Sequence, residues 1–217
     1  MNLKPPGYIV VEGPIGVGKT SLAKKLAESF SCDALLEMPD ENPFLEKFYD
    51  NPKAAALPVQ LHFLFQREKQ LANIKQGDLF QSALIADFMF EKDKLFAELN
   101  LDVDELALYD KVYSALGLEI PVPDLVVFLT APVETIMQRI AKRSRQEEKN
   151  LNVEYIERLT NCYTEFFYHY HKAPMLIVNT SGINPIDSDA DYAMLLERIC
   201  ATKHGKHFFN PISLDLK

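Results

Sequence analysis

The chain has 217 residues, of which 47% are hydrophobic, and a formal net charge of -8 at pH 7. That length and apolar content suit one α/β domain without a linker, so residues 1–217 are expected to form a single domain whose last part, from about residue 202, is a tail. The acidic balance argues against nucleic acid or an anionic membrane as the main partner, because both favour a basic surface, and no apolar run approaches bilayer length.

The first predicted element is a buried strand, Tyr8-Ile9-Val10-Val11, preceded by no secretory apolar segment, so the expected address is cytoplasmic. The strand leads into Gly13-Pro14-Ile15-Gly16-Val17-Gly18-Lys19-Thr20, the phosphate-cradling pattern G-x-x-x-x-G-K-T. Glycines let the backbone turn until several N–H groups face one concave anion site; Lys19 then reaches the β- and γ-phosphates, and the Thr20 hydroxyl takes Mg2+. Beyond Ser21, Leu22, Ala23, Leu26, Ala27 and Phe30 recur at helical spacing. Strand, loop and helix stand in the required order, and the helix N-terminus adds its dipole to the phosphate site.

The next short apolar run, Ala34 to Glu37, is a predicted strand, as is Ala83 to Ala86 with Asp87 after it. In parallel sheets, ligands bind beyond the carboxyl ends of the strands, so both carboxylates are candidates. Glu37 is placed to take a proton from an acceptor hydroxyl, and Asp87 to hold Mg2+. Between them, Gln60, Phe63, Leu64 and Arg67 fall at i, i+3, i+4 and i+7 and predict one wall of a pocket. Helical stripes follow at Leu106, Tyr109, Val112, Tyr113 and Leu116, and then from Ile156 to Tyr170. Strands at Leu125 to Leu129 and Met175 to Val178 bring the expected sheet to five parallel strands with helices on both faces.

Pro132 opens a helix with Glu134 in its first turn, and Arg139, Lys142, Arg143 and Arg145 follow within seven residues, ahead of Glu147 and Glu148. Four cations so close together in an acidic chain suit a lid over phosphoryl groups. Cys32, Cys162 and Cys200 are odd in number and form no Cys-x-x-Cys pair, so they are read as reduced thiols. His169 and His171, two apart on one predicted helix, face different ways and make no metal site.

These residues together resemble the deoxynucleoside kinase family over nearly the whole chain. The likeness rests on the phosphate loop, on Tyr49-Asp50-Asn51-Pro52 followed by Pro58-Val59-Gln60, and on the arginine-rich stretch Arg139 to Glu148. It implies a P-loop NTPase fold with an arginine-rich lid, ATP as phosphate donor, Mg2+, a deoxynucleoside as acceptor through its 5′-hydroxyl, and a homodimer. It also implies that Glu37 is the general base, that Tyr49 and Glu148 hold the sugar 3′-hydroxyl, that Gln60 reads the base edge, and that Phe96 stacks on it. Arg139, Arg143 and Arg145 would meet phosphates. Arg67, with Asp93 as a candidate partner, occupies the place where several members shape a purine-compatible or cytosine-compatible pocket; no bulky residue stands beside Gln60, so deoxyadenosine or deoxyguanosine is the expected acceptor, with thymidine and deoxycytidine as alternatives.

One departure stands out. Where the family commonly has an acidic residue followed by arginine and serine, this chain reads Ala86-Asp87-Phe88, and the substitute cation is open among Lys92, Lys94 and Arg67. The alternatives are a nucleoside monophosphate kinase, disfavoured because Glu37-Met38-Pro39 and Asp87-Phe88 cage a dianion poorly, and a non-catalytic nucleotide-binding relative. A GTPase switch is disfavoured, since the guanine motif Asn-Lys-x-Asp is missing.

Overall fold

In the computed structural model, which describes residues 7–76, 83–143, 145, 148 and 151–211, the strands are β1 (Tyr8–Glu12), β2 (Asp33–Leu35), β3 (Leu84–Ala86), β4 (Leu125–Thr130), β5 (Met175–Asn179) and β6 (Lys206–Phe209). They form one sheet in the order β2-β3-β1-β4-β5-β6, with every neighbouring pair parallel. Parallel neighbours need crossovers, and the helices supply them: α1 (Lys19–Phe30), α2 (Leu45–Asp50), α3 (Pro52–Gln76), α4 (Lys92–Asn100), α5 (Val103–Ala115), α6 (Val133–Arg143), α7 (Val153–His169) and α8 (Asp189–Ala201).

Side chains alternate across the sheet, and both faces are covered. Ile9, Val11, Leu125, Val127 and Leu129 pack with Leu22 and Leu26 of α1, Ile136 and Ile140 of α6, and Leu195 and Ile199 of α8. Val10, Val126 and Phe128 face the other way, onto Leu95 of α4 and Leu159, Tyr163 and Phe167 of α7. Each such fully buried side chain contributes about 1.5–3 kcal/mol relative to exposure, and burial on both faces explains why these strands read as continuous apolar runs. The aromatic stripe of α7 is therefore core: Phe128, Tyr163 and Phe167 lie within ring contact, with centroids of Phe128 and Phe167 4.3 Å apart.

Several sequence expectations are corrected. The sheet has six strands, not five, because the supposed tail after Thr202 returns to pair with β5, Leu176 opposite His207 and Ile177 opposite Phe208. Lys206 also donates to the carbonyls of Phe167 (2.9 Å) and Tyr168 (2.6 Å) at the end of α7, a cation where the helix dipole favours one. β2 stops at Leu35, two residues before Glu37. α7 ends at His169, so His171 lies beyond the helix. Among the described residues no helix is long and apolar enough to cross a membrane.

The strand order reverses around β1, which lies between β3 and β4, and the phosphate loop leaves its carboxyl end there. A crevice at such a switch point is where this sheet type binds ligands.

Candidate active site

Between β1 and α1 the loop is shaped by positions that only glycine fits. A Cβ on Gly13 would stand 2.4 Å from the Leu129 carbonyl oxygen, and Gly18, the residue before α1, has φ 107°. Lys19 Nζ donates to the carbonyls of Gly13 (2.7 Å) and Pro14 (3.0 Å), so it lies across the loop. Burial, and then the charge of Lys92, lower its pKa to about 8, against the pull of Glu12, Glu37 and Asp87. Glu12, fully buried beneath the loop, accepts from Gly13 N (3.1 Å), Met89 N (2.7 Å) and the Tyr163 hydroxyl (2.9 Å). It binds the loop to the β3–α4 connection and to α7.

Asp87, just past β3, accepts from the Thr20 hydroxyl at 2.5 Å and from the Glu37 backbone N–H at 2.7 Å. One carboxylate thereby joins the phosphate loop to the segment after β2. The Glu37 side chain, 20% exposed, has both oxygens occupied: one accepts from Arg67, the other from Lys92 at 3.0 Å. Burial opposes its ionisation, but the charges of Lys92 and Arg67 outweigh that and hold its pKa at about 2. Arg67, from α3, also pairs with Asp93 of α4, and burial raises the Asp93 pKa while Arg67 opposes the rise. Gln60 Nε2 donates to the Asp93 backbone carbonyl at 3.4 Å.

Glu37, Tyr49, Gln60, Phe63, Arg67, Asp87, Phe96 and Glu148 line one cleft together with Ile15, Gly16, Lys19 and Thr20. Burial raises the Tyr49 hydroxyl pKa, so it stays a neutral donor. Leu64 is not in that wall; it is fully buried and packs with Phe90, Ala97 and Tyr109. Lys94 is exposed, pairs with Asp110 at 3.8 Å and lies over the Tyr113 ring. Lys92 and Arg67, the other two candidates for the missing cation, both reach Glu37.

A second cleft lies across the phosphate loop, lined by Gly16 to Leu22, Ser21 included, by Arg139, Lys142 and Arg143, and by the β5–α8 loop from Thr180 to Asp187. Arg139 bridges the two sides: it donates to the Val17 carbonyl (3.2 Å), the Thr180 hydroxyl (2.8 Å) and the Thr180 carbonyl (2.8 Å). Arg143 is held by both oxygens of Glu148, and Arg145 lies 3.5 Å from Asp40. Glu147 lies outside the described residues. Two adjoining clefts, one phosphate loop between them and a carboxylate at the acceptor side, make up the geometry of a phosphoryl transferase.

A family model described as deoxynucleoside kinase matches residues 9–203. The chain belongs to the deoxynucleoside kinase family. It is 35% identical over 207 residues to the deoxyguanosine kinase of Bacillus subtilis (strain 168), a match covering 93% of this chain and 97% of the relative. It is 27% identical over 205 residues to the deoxyadenosine/deoxycytidine kinase of the same organism, covering 90% and 93%. The solved structure of deoxyadenosine kinase from M. mycoides with bound dCTP superposes with a TM-score of 0.74 at 25% identity, covering 88% of this chain and 98% of that one. The protein is accordingly an ATP-dependent phosphotransferase of the deoxynucleoside kinase class.

Among the lining residues of this kinase that were not singled out from sequence for the site are Asp40, Leu45, Phe48, Asn100, Tyr155 and Tyr163. Tyr155 and Tyr163 belong to the α7 stripe, whose spacing reads as core. Glu12 was missed too, although it ends a buried strand beside the loop, the same signal that singled out Asp87.

Proposed function

We propose that the protein transfers the γ-phosphate of ATP to the 5′-hydroxyl of a purine deoxynucleoside, within a single domain, as a cytoplasmic homodimer in nucleotide salvage. The observation that carries the reading is Glu37, a carboxylate held ionised at the junction of the acceptor cleft and the phosphate loop. An ionised carboxylate there can take the hydroxyl proton as the oxygen attacks in line, which is general-base catalysis.

The remaining roles follow from position. Tyr49 and Glu148 would meet the sugar 3′-hydroxyl. Gln60 offers a donor and an acceptor to a base edge, and Phe96 supplies a flat apolar face beside it. Arg143 and Arg145 exchange their carboxylate partners for phosphate oxygens as the lid closes, and Arg139 holds the donor side. Thr20 and Asp87 present hard oxygen donors 2.5 Å apart beside the phosphate loop, a donor set that fits Mg2+. Bound with the nucleotide, Mg2+ supplies charge neutralisation at the β- and γ-phosphates.

The purine reading is supported by the name of the 35% identical relative, and the cytoplasmic one by the free thiols of Cys32, Cys162 and Cys200, which suit a reducing compartment. The test is ATP-dependent turnover with Mg2+ on each of the four deoxynucleosides and their 5′-monophosphates. Purine deoxynucleosides should give the highest kcat/KM; turnover confined to a pyrimidine overturns the base assignment, and turnover confined to monophosphates overturns the acceptor. Light scattering checks assembly, with a mass near twice 24.7 kDa expected.

A further inference from the structure

Lys92 helps to hold Glu37 ionised but has no assigned part in the transfer itself, and its position is costly. It is 3% exposed, and it is the first residue of α4, where a cation adds to the positive end of the helix dipole instead of offsetting it. Burying an ammonium at a helix N-terminus is unfavourable unless something anionic faces it. Two carboxylates do: Glu37 Oε2 at 3.0 Å and Glu12 Oε1 at 4.0 Å. Its Nζ lies 6.0 Å from the ring centroids of both Phe88, which is buried, and Phe96, which lines the cleft.

The other cation on Glu37 is differently placed. Arg67 is clamped between Glu37 and Asp93, with its charge shared by two carboxylates. Among the described residues Lys92 has one partner at hydrogen-bond distance, and it has a compact charge and a four-carbon stem that can turn. It borders the cleft beside Lys19, the phosphate-loop cation, close enough that the two charges repel.

The acceptor side also has an electrostatic problem. A base carboxylate and a transferring phosphoryl group are both anionic, and both must approach the same 5′-oxygen. With Glu12 and Asp87 adjacent, they repel unless a cation lies between them. We propose that Lys92 is a catalytic cation of the transfer, bridging the Glu37 carboxylate and the incoming γ-phosphoryl group. This rests on Glu37 as the base. Glu37 takes the 5′-hydroxyl proton, the 5′-oxygen bonds to the γ-phosphorus, and the bond to the bridging oxygen breaks with its electron pair left on ADP. Lys92 keeps its proton and makes no covalent bond. As it turns towards the phosphoryl group its ammonium stays between the two anions, while its hydrogen bond to Glu37 Oε2 gives way so that this oxygen can accept the hydroxyl proton.

The test compares Lys92→Met and Lys92→Arg with the parent, using a deoxynucleoside that the parent phosphorylates and saturating ATP with Mg2+. Removing one preorganised charge from a developing anion should lower kcat about 10²-fold or more in Lys92→Met, with KM for the nucleoside changed much less. Lys92→Arg should exceed Lys92→Met in kcat by more than tenfold. Melting curves establish that both variants fold. A kcat for Lys92→Met within threefold of the parent, or for Lys92→Arg no more than tenfold above that of Lys92→Met, overturns the inference while leaving the kinase reading intact. A folded parent that phosphorylates no deoxynucleoside overturns both.

Discussion

Glu37 lies where two opposing demands meet. Burial alone would raise its pKa, but Lys92 and Arg67 lower it to about 2 in the free protein. A group whose folded pKa is depressed adds stability that is fully present above its ordinary value, 4.5, and is lost as the pH falls towards 2. Glu37→Gln should therefore lower kcat by about 10² or more while leaving nucleoside binding largely intact, and a near-normal kcat in that variant would remove Glu37 as the base. Lys19 has the opposite sign. Its pKa is lowered to about 8 from 10.5, so the unfolded chain binds more protons between those values and folding gains stability as the pH rises through them. Phosphate favours the ammonium, so ATP binding should weaken above about pH 8 and should take up a proton there. Calorimetry in two buffers of different ionisation enthalpy reads that uptake directly, and heats independent of buffer would show that Lys19 stays charged in the free protein.

The elements differ in how openly the sequence displays them. β1, the phosphate loop and α1 were legible because their chemistry is local: an apolar run, glycines at fixed spacing and an amphipathic stripe are contiguous. Asp87 was legible because strand ends point to the site, and Glu37 was found by the same rule although β2 stops two residues short of it. β6 was not, because an edge strand is short and polar: Lys206–Phe209 has exposed residues in the middle and follows a glycine. Leu64 was misread since i, i+3, i+4 spacing defines a stripe wider than the cleft. Relative to Gln60 it is rotated about 40° around α3, enough to turn it towards Phe90 and Tyr109. The contacts that complete the site, Lys92 to Glu37 and Tyr163 to Glu12, join residues 55 and 151 apart, and no local pattern encodes them. The structural weight of β6 is testable through Lys206, which closes the carbonyl end of α7. Such a contact contributes about 0.5–2 kcal/mol, and in a chain of this size each kcal/mol is about 2–4 °C in Tm. Lys206→Met should lower Tm by a few degrees without changing the KM for either substrate; an unchanged Tm would make the supposed clamp incidental.

On the scale of the whole molecule, a chain of net charge -8 gathers cations locally: Lys19, Arg67, Lys92, Arg139 and Arg143 border the two clefts, where a polyanionic nucleotide would meet positive charge. The clefts lie on opposite sides of the phosphate loop. The acceptor side is built by α3, α4 and the segment after β2, the donor side by α6 and the β5–α8 loop, and they share Gly16, Lys19, Thr20 and Arg143. Sharing so few residues, and being built on separate elements of one sheet, each side should bind its substrate without the other. A ligand that binds only the folded chain stabilises it by RT ln(1 + [L]/Kd), about 2.7 kcal/mol at a hundredfold excess over Kd, which here is about 5–11 °C in Tm. A deoxynucleoside alone and a non-hydrolysable ATP analogue with Mg2+ alone should each raise Tm by that order, and their free-energy effects should add when both are present. Additivity short of the sum by more than about 0.5 kcal/mol would locate competition at the shared residues, with Lys19 and Arg143 the charged pair to mutate next. A nucleoside shift that appears only with the analogue present would mean that the acceptor cleft is completed by the nucleotide, and that the two sides are one site.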